Sequence, residues 1–275
     1  MRVSSIYLLV NIGNTNAIVA VAEKCRILRR ISIPSDTRSR KDIDGVVRRV
    51  MGKDTVGAAV LCSVVPSVVN DWKGTINSIT GRTPLCVNHS ATLGLKLSYP
   101  TPSSIGHDRL ANACGAAAKY KAPFIVIDVG TAATFDLVCP VRGFIGGAIA
   151  PGPRLMTDYL AERTALLPQI SITERIPLAG RSTIASMQIG TVVGYRGLTR
   201  EVVQYLKTKT AGFQDATVCI TGGYARWVVK SLRMPFVLDP DLTLRGLYHF
   251  GLLNGSRAYS GELAKHCTRV HRSWI

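Results

Sequence analysis

Twice along this chain three short apolar runs follow one another with a glycine turn after the first, and a repeat of that kind leaves few folds open. Ile6 to Ile12 and Ala17 to Ala22 flank Gly13-Asn14-Thr15-Asn16, and Ile27 to Ile33 comes next. Past the middle, Phe124 to Val129 is followed by Gly130-Thr131, then by Thr134 to Val138 and Phe144 to Ala148. Short apolar runs parted by Gly, Asn and Thr predict strands joined by tight turns, so each block reads as an antiparallel meander. A three-element block that recurs in this way marks the second half as a structural echo of the first.

Helical and strand periods alternate after each block. Lys41 to Val50 predicts a helix, Ala58 to Val64 a buried strand, Val68 to Ile79 a helix and Leu85 to Val87 a short strand. In the second half, helices are expected over Pro153 to Leu166 and Ser182 to Leu206. A strand over Ala216 to Thr221, a helix over Ala225 to Leu232, a strand over Pro235 to Leu238 and a closing helix over Leu242 to Asn254 follow. That alternation indicates an α/β class. Gly94 to Ile105, with Pro100 and Pro102, is a loop leading into a helix from Asp108 to Tyr120 that could join the halves, which sets the expected domains at 1–117 and 118–275. Gly190, Gly194 and Gly197 lie where a helix normally avoids glycine, and predict close approach of another helix.

Composition closes off several classes. With 275 residues, 47% hydrophobic and 19% charged, the chain can bury a core in one large or two modest domains, which excludes disorder as its main state. A net charge of +17 favours anionic partners such as nucleotides, nucleic acid or acidic lipid. The charge is spread along the chain and no nucleic-acid reader motif accompanies it, so a solvated surface is expected and nucleic acid is not. No apolar run reaches the roughly 18 to 20 residues that span a bilayer. The apolar start is interrupted by Asn11, Gly13, Asn14, Thr15 and Asn16, unlike a secretory signal, so a cytoplasmic protein with no membrane partner is expected. Seven cysteines without a Cys-x-x-Cys pair read as small buried hydrophobes in a reducing compartment. His266, Cys267 and His271 read as part of a solvated basic end rather than a metal centre.

Chemistry concentrates at the ends of apolar strands. Asn11-Ile12-Gly13-Asn14-Thr15, Asp128-Val129-Gly130-Thr131 and Thr221-Gly222-Gly223 are three such turns. Glycine lets backbone amides approach phosphate oxygens, a hydroxyl or amide adds a donor, and a carboxylate at a strand end can hold a cation. One such turn is ordinary hairpin chemistry. Three of them in duplicated sheets suggest an ATP cleft.

This pattern resembles the superfamily of acetate kinase, sugar kinases, heat-shock chaperone ATPases and actin, in which two ribonuclease-H-like (actin-like ATPase) domains clamp a nucleotide in the cleft between them. Within it, the chain is similar to the type III pantothenate kinase family. The family's Asp-x-Gly-Asn-Thr-Asn opening is matched by Asn11 to Asn16, and its Gly-x-Asp-Arg motif by Gly106-His107-Asp108-Arg109. The likeness runs on in order through Ser63 to Pro66, Asp128 to Ala132, Gly146 to Gly152, Gly180 to Thr183, Gly190 with Gly194-Tyr195, Thr221 to Gly223 and Asp239 to Leu244.

The resemblance implies ATP-dependent phosphorylation of pantothenate to 4′-phosphopantothenate, the first step toward coenzyme A. It implies that Asp108 is the general base for the pantothenate hydroxyl, and that Gly106, His107, Arg109, Tyr99 and Thr183 surround the acceptor with it. Asn11, Ile12, Gly13, Asn14, Thr15, Asn16, Ala17 and Ile18 correspond to the first phosphate loop, Thr131 to an ATP-contacting hydroxyl, and Asp128 to the monovalent-cation ligand. ATP, Mg²⁺ and K⁺ or NH₄⁺ are the implied cofactors. A homodimer with the pantothenate pocket near the subunit interface is the implied assembly.

Two positions depart from the family. Asn11 replaces its first-loop aspartate; an amide can orient a metal-bound water but lacks the charge, and the loss of one such electrostatic contribution costs about 10²- to 10³-fold in rate. Asp136 is a carboxylate that could compensate. His107 replaces a small residue beside Asp108. Asn11 and the +17 charge also admit a second reading, a catalytically weakened relative acting as a nucleotide-sensing or transcription-accessory protein.

Overall fold

A computed structural model describes residues 5–37, 39–230 and 232–255; His266, Cys267 and His271 lie outside them. The chain divides into two compact units, each treated by itself. The first comprises the described residues of Met1–Lys121, Pro140–Phe144 and Asp241–Ile275, and the second those of Ala122–Cys139 and Ile145–Pro240.

In the first unit the expected meander forms. Strands β1 (Tyr7–Ile12), β2 (Asn16–Glu23) and β3 (Arg26–Pro34) pair antiparallel in sequence. Strand β4 (Ala58–Ser63) then pairs parallel with β1, and β5 (Leu85–Cys86) parallel with β4, giving the order β3-β2-β1-β4-β5. A parallel strand needs a crossover, and the helix α1 (Arg40–Met51) supplies it. Its buried residues Ile43, Val46, Val47 and Val50 fall at helical spacing. With Trp72 and Ile76 of α2 (Val69–Thr80) they pack on Leu8, Val10, Ile12, Ala59 and Leu61, one face of the sheet.

The opposite face is covered by two helices that approach closely. Helix α3 (His107–Ala117) is buried from Arg109 onward and consists mostly of Ala, Cys and Gly. A Cβ on Gly115 would lie 2.7 Å from the Leu242 carbonyl oxygen at the start of the C-terminal helix. A Cβ on Gly246 would lie 1.9 Å from that of Ala111. The C-terminal helix, Leu242–Asn254, also abuts the sheet, because a Cβ on Gly251 would meet the Tyr7 ring at 2.6 Å and Val60 Cγ2 at 2.9 Å. The Tyr248 hydroxyl accepts from the Lys24 N–H at 2.8 Å, tying that helix to the β2–β3 turn.

The second unit repeats the design. Strands β6 (Phe124–Val129), β7 (Ala132–Cys139), β8 (Gly143–Pro151), β9 (Thr217–Thr221) and β10 (Val237–Leu238) take the order β8-β7-β6-β9-β10, the counterpart of the first sheet. Strands β6 and β7 pair antiparallel and β6 and β9 parallel, as β1 does with β2 and β4. The correspondence extends to burial: along β1 only Asn11 is half-buried, and along β6 only Asp128.

Helices α4 (Pro153–Arg163), α5 (Thr183–Lys209) and α6 (Ala225–Val229) complete the unit, and the closing helix Leu242–Asn254 is α7. Val192, Tyr195, Val203 and Leu206 of α5 and Trp227 and Val228 of α6 cover Ile125, Ile127 and Val129. The close approach expected at Gly190, Gly194 and Gly197 is not found: nothing described comes within 4 Å of a Cβ at any of the three. The tight helix crossing is at Gly115 and Gly246 instead, where both partners are glycine. Helix α6 is shorter than expected, ending at Val229. Cys62, Cys114 and Cys219 are buried, as expected of small apolar side chains. No helix of the described residues is long and apolar enough to cross a membrane.

Candidate active site

The turn after β1 is tight. The Gly13 N–H donates to the Asn16 carbonyl at 3.0 Å, and the register runs Asn11 to Ile18 and Ile12 to Ala17. Asn14, Thr15 and Asn16 are exposed at its tip, while Ile12 and Ala17 anchor it in the core. Asn11 is half-buried, and its side-chain oxygen is buried without a hydrogen-bond partner. A buried orphan acceptor is costly, about 1–3 kcal/mol, and is tolerated where a ligand or water completes it.

Asn11 pairs in register with Cys62 of the parallel strand β4, so the two side chains share a face of the sheet. That face is the one covered by α3 and α7. Asp108 stands in the first turn of α3, and the Cys62 thiol is pushed well up, first by burial and then by the negative field of Asp108. The phosphate-type turn and the carboxylate therefore belong to the same end of one sheet.

Local sequence explains how Asp108 is held. Its Oδ1 accepts the Arg109 N–H at 2.8 Å, one of the amides a helix start leaves unpaired. Gly106 gives it room, since a Cβ there would stand 2.7 Å from Oδ1. Burial pushes the carboxyl above its ordinary range, against the lowering pull of the Arg109 amide and guanidinium. A carboxylate made more basic by desolvation is a better proton acceptor near neutral pH.

Beside it, the buried Arg109 places its guanidinium 5.4 Å from the centre of the Phe144 ring, and the half-buried Tyr99 meets the same ring edge-on at 5.9 Å. The Tyr99 loop is fixed by backbone pairing with the start of β8: the Ser98 N–H donates to the Phe144 carbonyl at 2.8 Å, and the Phe144 N–H to that of Lys96 at 2.9 Å. The His107 ring Nδ1 lies 2.9 Å from the Ser63 carbonyl oxygen.

The second unit presents a glycine cradle at the matching place. Asp128 pairs in register with Thr221, and a Cβ on Gly222 would meet the Asp128 Oδ1 at 2.4 Å. A Cβ on Gly152 would lie 2.1 Å from the Gly130 oxygen, and the Gly152 N–H donates to the Thr131 carbonyl at 2.8 Å. Gly222 has φ +98°, which a side chain disfavours, so glycine is required there on both counts. Thr131 is exposed at the turn. Asp136 lies on β7, fully buried, with the Thr134 hydroxyl 3.4 Å from its Oδ2.

The structure thus gathers Asn11 to Ile18, Tyr99 and Gly106 to Arg109 in the first unit. Asp128 and Thr131 share the second with Thr183, which is exposed at the first turn of α5, where the Ser182 hydroxyl caps the helix by accepting the Ala185 N–H at 3.2 Å. Sequence reasoning did not find Cys62 as a neighbour of Asp108, nor Phe144 as the ring under Arg109. Nothing local marks either, because both act through partners distant in the chain.

Comparison with known proteins was decisive for the family. The sequence pattern of the family described as "Type III pantothenate kinase" matches residues 7–205. The type III pantothenate kinase of Akkermansia muciniphila is 40% identical over 242 residues, covering 88% of this chain and 96% of that protein. The one from Agathobacter rectalis is 35% identical over 246 residues, covering 87% and 94%. Among solved structures, a Campylobacter jejuni protein described as a Baf family transcriptional activator superposes with a TM-score of 0.53 over 89% of this chain and 96% of its own; at 17% identity that likeness speaks to the fold alone.

Proposed function

The chain belongs to the type III pantothenate kinase family, and on that footing we infer that it transfers the γ-phosphoryl group of ATP to pantothenate, the first step of coenzyme A biosynthesis. In our reading Asp108 accepts the proton of the pantothenate primary hydroxyl as its oxygen bonds to the γ-phosphorus and ADP departs. The observation that carries this role is a carboxyl made basic by burial, at the first turn of α3, on the sheet face that also bears Asn11. The transfer proceeds through a loose transition state, so the protein contributes mainly by positioning and by electrostatics.

Arg109 fits the acceptor's carboxylate, since a guanidinium binds a carboxylate through two parallel hydrogen bonds, and it lies over the Phe144 ring. Tyr99, edge-on to the same ring, is assigned to that pocket with Gly106.

Mg²⁺ fits the first loop. Among the described residues no three of His, Cys, Asp and Glu gather to chelate a metal, and an ion carried by triphosphate oxygens needs only one or two protein groups. The orphan oxygen of Asn11 is such a group, able to hold a metal-bound water. Bound with ATP, Mg²⁺ would supply positive charge to the triphosphate. A monovalent cation, K⁺ or NH₄⁺, is assigned to Asp128, whose carboxylate is closely walled by Gly222, with the Thr131 hydroxyl exposed at the same turn.

A homodimer is the assembly that best accounts for the surface of the second unit. Leu155, Tyr159 and Leu160 on α4, Leu166 and Leu178 beyond it, and Ile184 and Val193 on α5 are exposed apolar side chains. The open glycines of α5 lie among them. Steady-state turnover of pantothenate by the purified chain with Mg²⁺·ATP, with and without K⁺, tests the whole reading. Turnover stimulated by K⁺ is expected; salt-dependent DNA binding with no turnover would replace it with the accessory-protein reading.

A further inference from the structure

We propose that His107 is a positioning residue that locks Asp108 to the first phosphate loop through a single peptide group, an inference that rests on Asp108 being the base. The Ser63 oxygen is a carbonyl and can only accept, so the His107 Nδ1 carries the proton of the 2.9 Å hydrogen bond. The N–H of the same peptide unit belongs to Val64, and it donates to the Ile12 carbonyl at 3.0 Å. One planar peptide is therefore gripped on both edges. Its N–H holds the residue that precedes Gly13, and its C=O holds the residue that precedes Asp108. A peptide plane does not flex, so it transmits the position of the loop to the start of α3.

That start has need of an anchor. The N-cap is Gly106, with no side-chain cap hydrogen bond, and glycine leaves the backbone more freedom than Ser, Thr or Asp would there. Glycine is nevertheless imposed, because any Cβ would press on the Asp108 carboxylate. The chain thus gives up a conventional cap to make room for its base, and the imidazole restrains the turn from the next position. The Ser63 hydroxyl stiffens the other side, accepting the Val65 N–H at 3.0 Å.

The test compares His107→Asn, whose amide nitrogen can stand where Nδ1 stands, with His107→Leu, which keeps bulk but cannot donate. Kinetics for both substrates and thermal unfolding are measured for each, alongside Asp108→Asn. His107→Leu is expected to lose about 10- to 10²-fold in kcat with both KM values within about twofold, as for a misplaced base. His107→Asn is expected to recover most of that loss. Equal impairment in both variants, wild-type kcat in both, or a loss confined to the KM for pantothenate would overturn the proposal, the last by making His107 a direct substrate contact. Should His107→Leu not fold, His107→Gln serves as the control, because its amide reaches the Nε2 position rather than Nδ1. Turnover surviving in Asp108→Asn would sink the base reading itself, a result separable from any outcome at His107.

Discussion

Replacing Asp108 by Asn separates chemistry from folding, because the two are expected to move in opposite directions. Asparagine has the same shape, its Oδ1 can still accept the Arg109 N–H, and the space left by Gly106 still fits it. What disappears is the ability to take a proton. General-base catalysis is worth about 10²- to 10⁴-fold, so kcat should fall by at least the lower figure, equivalent to about 2.7 kcal/mol of barrier. Stability should respond the other way. Burial raises the folded-state pKa of Asp108 above its unfolded value. The protonated form is then the one the native state favours, and that stabilisation is present below the unfolded pKa and is lost as pH rises through the folded pKa. At neutral pH the wild type carries a buried charge that the variant lacks, worth about 1.4 kcal/mol for each tenfold change in the carboxyl's acidity. Asp108→Asn should therefore melt higher than wild type at neutral pH, with the advantage fading below the ordinary carboxylate range. Melting curves across pH and a coupled ADP-release assay measure both quantities. A variant that keeps turnover, or that melts several degrees lower at neutral pH, refutes the reasoning.

Asn11→Asp restores a charge on the face shared with Asp108. It should lower the KM for Mg²⁺·ATP and, by like-charge repulsion, move the acid limb of kcat/KM to higher pH; a pH–rate profile unchanged in both respects would show that the two side chains do not communicate. Gly222→Ala should abolish stimulation by K⁺, since its Cβ would press into the Asp128 carboxylate from a backbone at φ +98°, and undiminished stimulation in cation titrations would remove Asp128 from that role. Gly246→Ala would gain about 1 kcal/mol in an isolated helix. Here it drives a Cβ to 1.9 Å from a backbone oxygen, so overpacking of about 3 kcal/mol should leave a net loss near 2 kcal/mol and lower Tm by about 4–8 °C. A raised Tm would mean that α3 and α7 do not cross there.

How much of this was legible in the sequence follows from where the determinants sit. The strands were legible because burial on both faces demands apolar runs, and turn residues mark their ends; Phe124–Val129 and Leu242–Asn254 were bounded to the residue. The fragments that carry the proposed site residues were legible as motifs because each is contiguous: Asn11 to Ile18, Gly106 to Arg109, Asp128 to Thr131. What joins the fragments was not. Cys62 comes beside Asn11 by parallel register and feels the charge of Asp108 from α3, Phe144 reaches Arg109 and Tyr99 from the start of β8, and α7 reaches α3 from the far end of the chain. The glycines show the same limit. Gly190, Gly194 and Gly197 have the spacing of a helix contact yet meet nothing described, whereas Gly115 and Gly246 have no mutual spacing to read and meet backbone to backbone.

The duplicated hairpin sharpens the question of Asn11. In both sheets the first strand is buried except at its penultimate residue, and that residue is Asn11 in one and Asp128 in the other. Position in the sheet does not choose between them, because both are half-buried and each lies between an antiparallel neighbour, Ile18 or Thr134, and a parallel one, Cys62 or Thr221. Their surroundings differ in one respect that chemistry can use. Asn11 shares its face with Asp108, whose carboxyl burial already raises, and a second carboxylate there would raise it further. Asp128 instead lies against Gly222, where a Cβ would meet its Oδ1 at 2.4 Å. With Asp108 as the proposed base and Asn11 in the proposed phosphate loop, Asn11→Asp is expected to trade tighter Mg²⁺·ATP binding for an acid limb at higher pH.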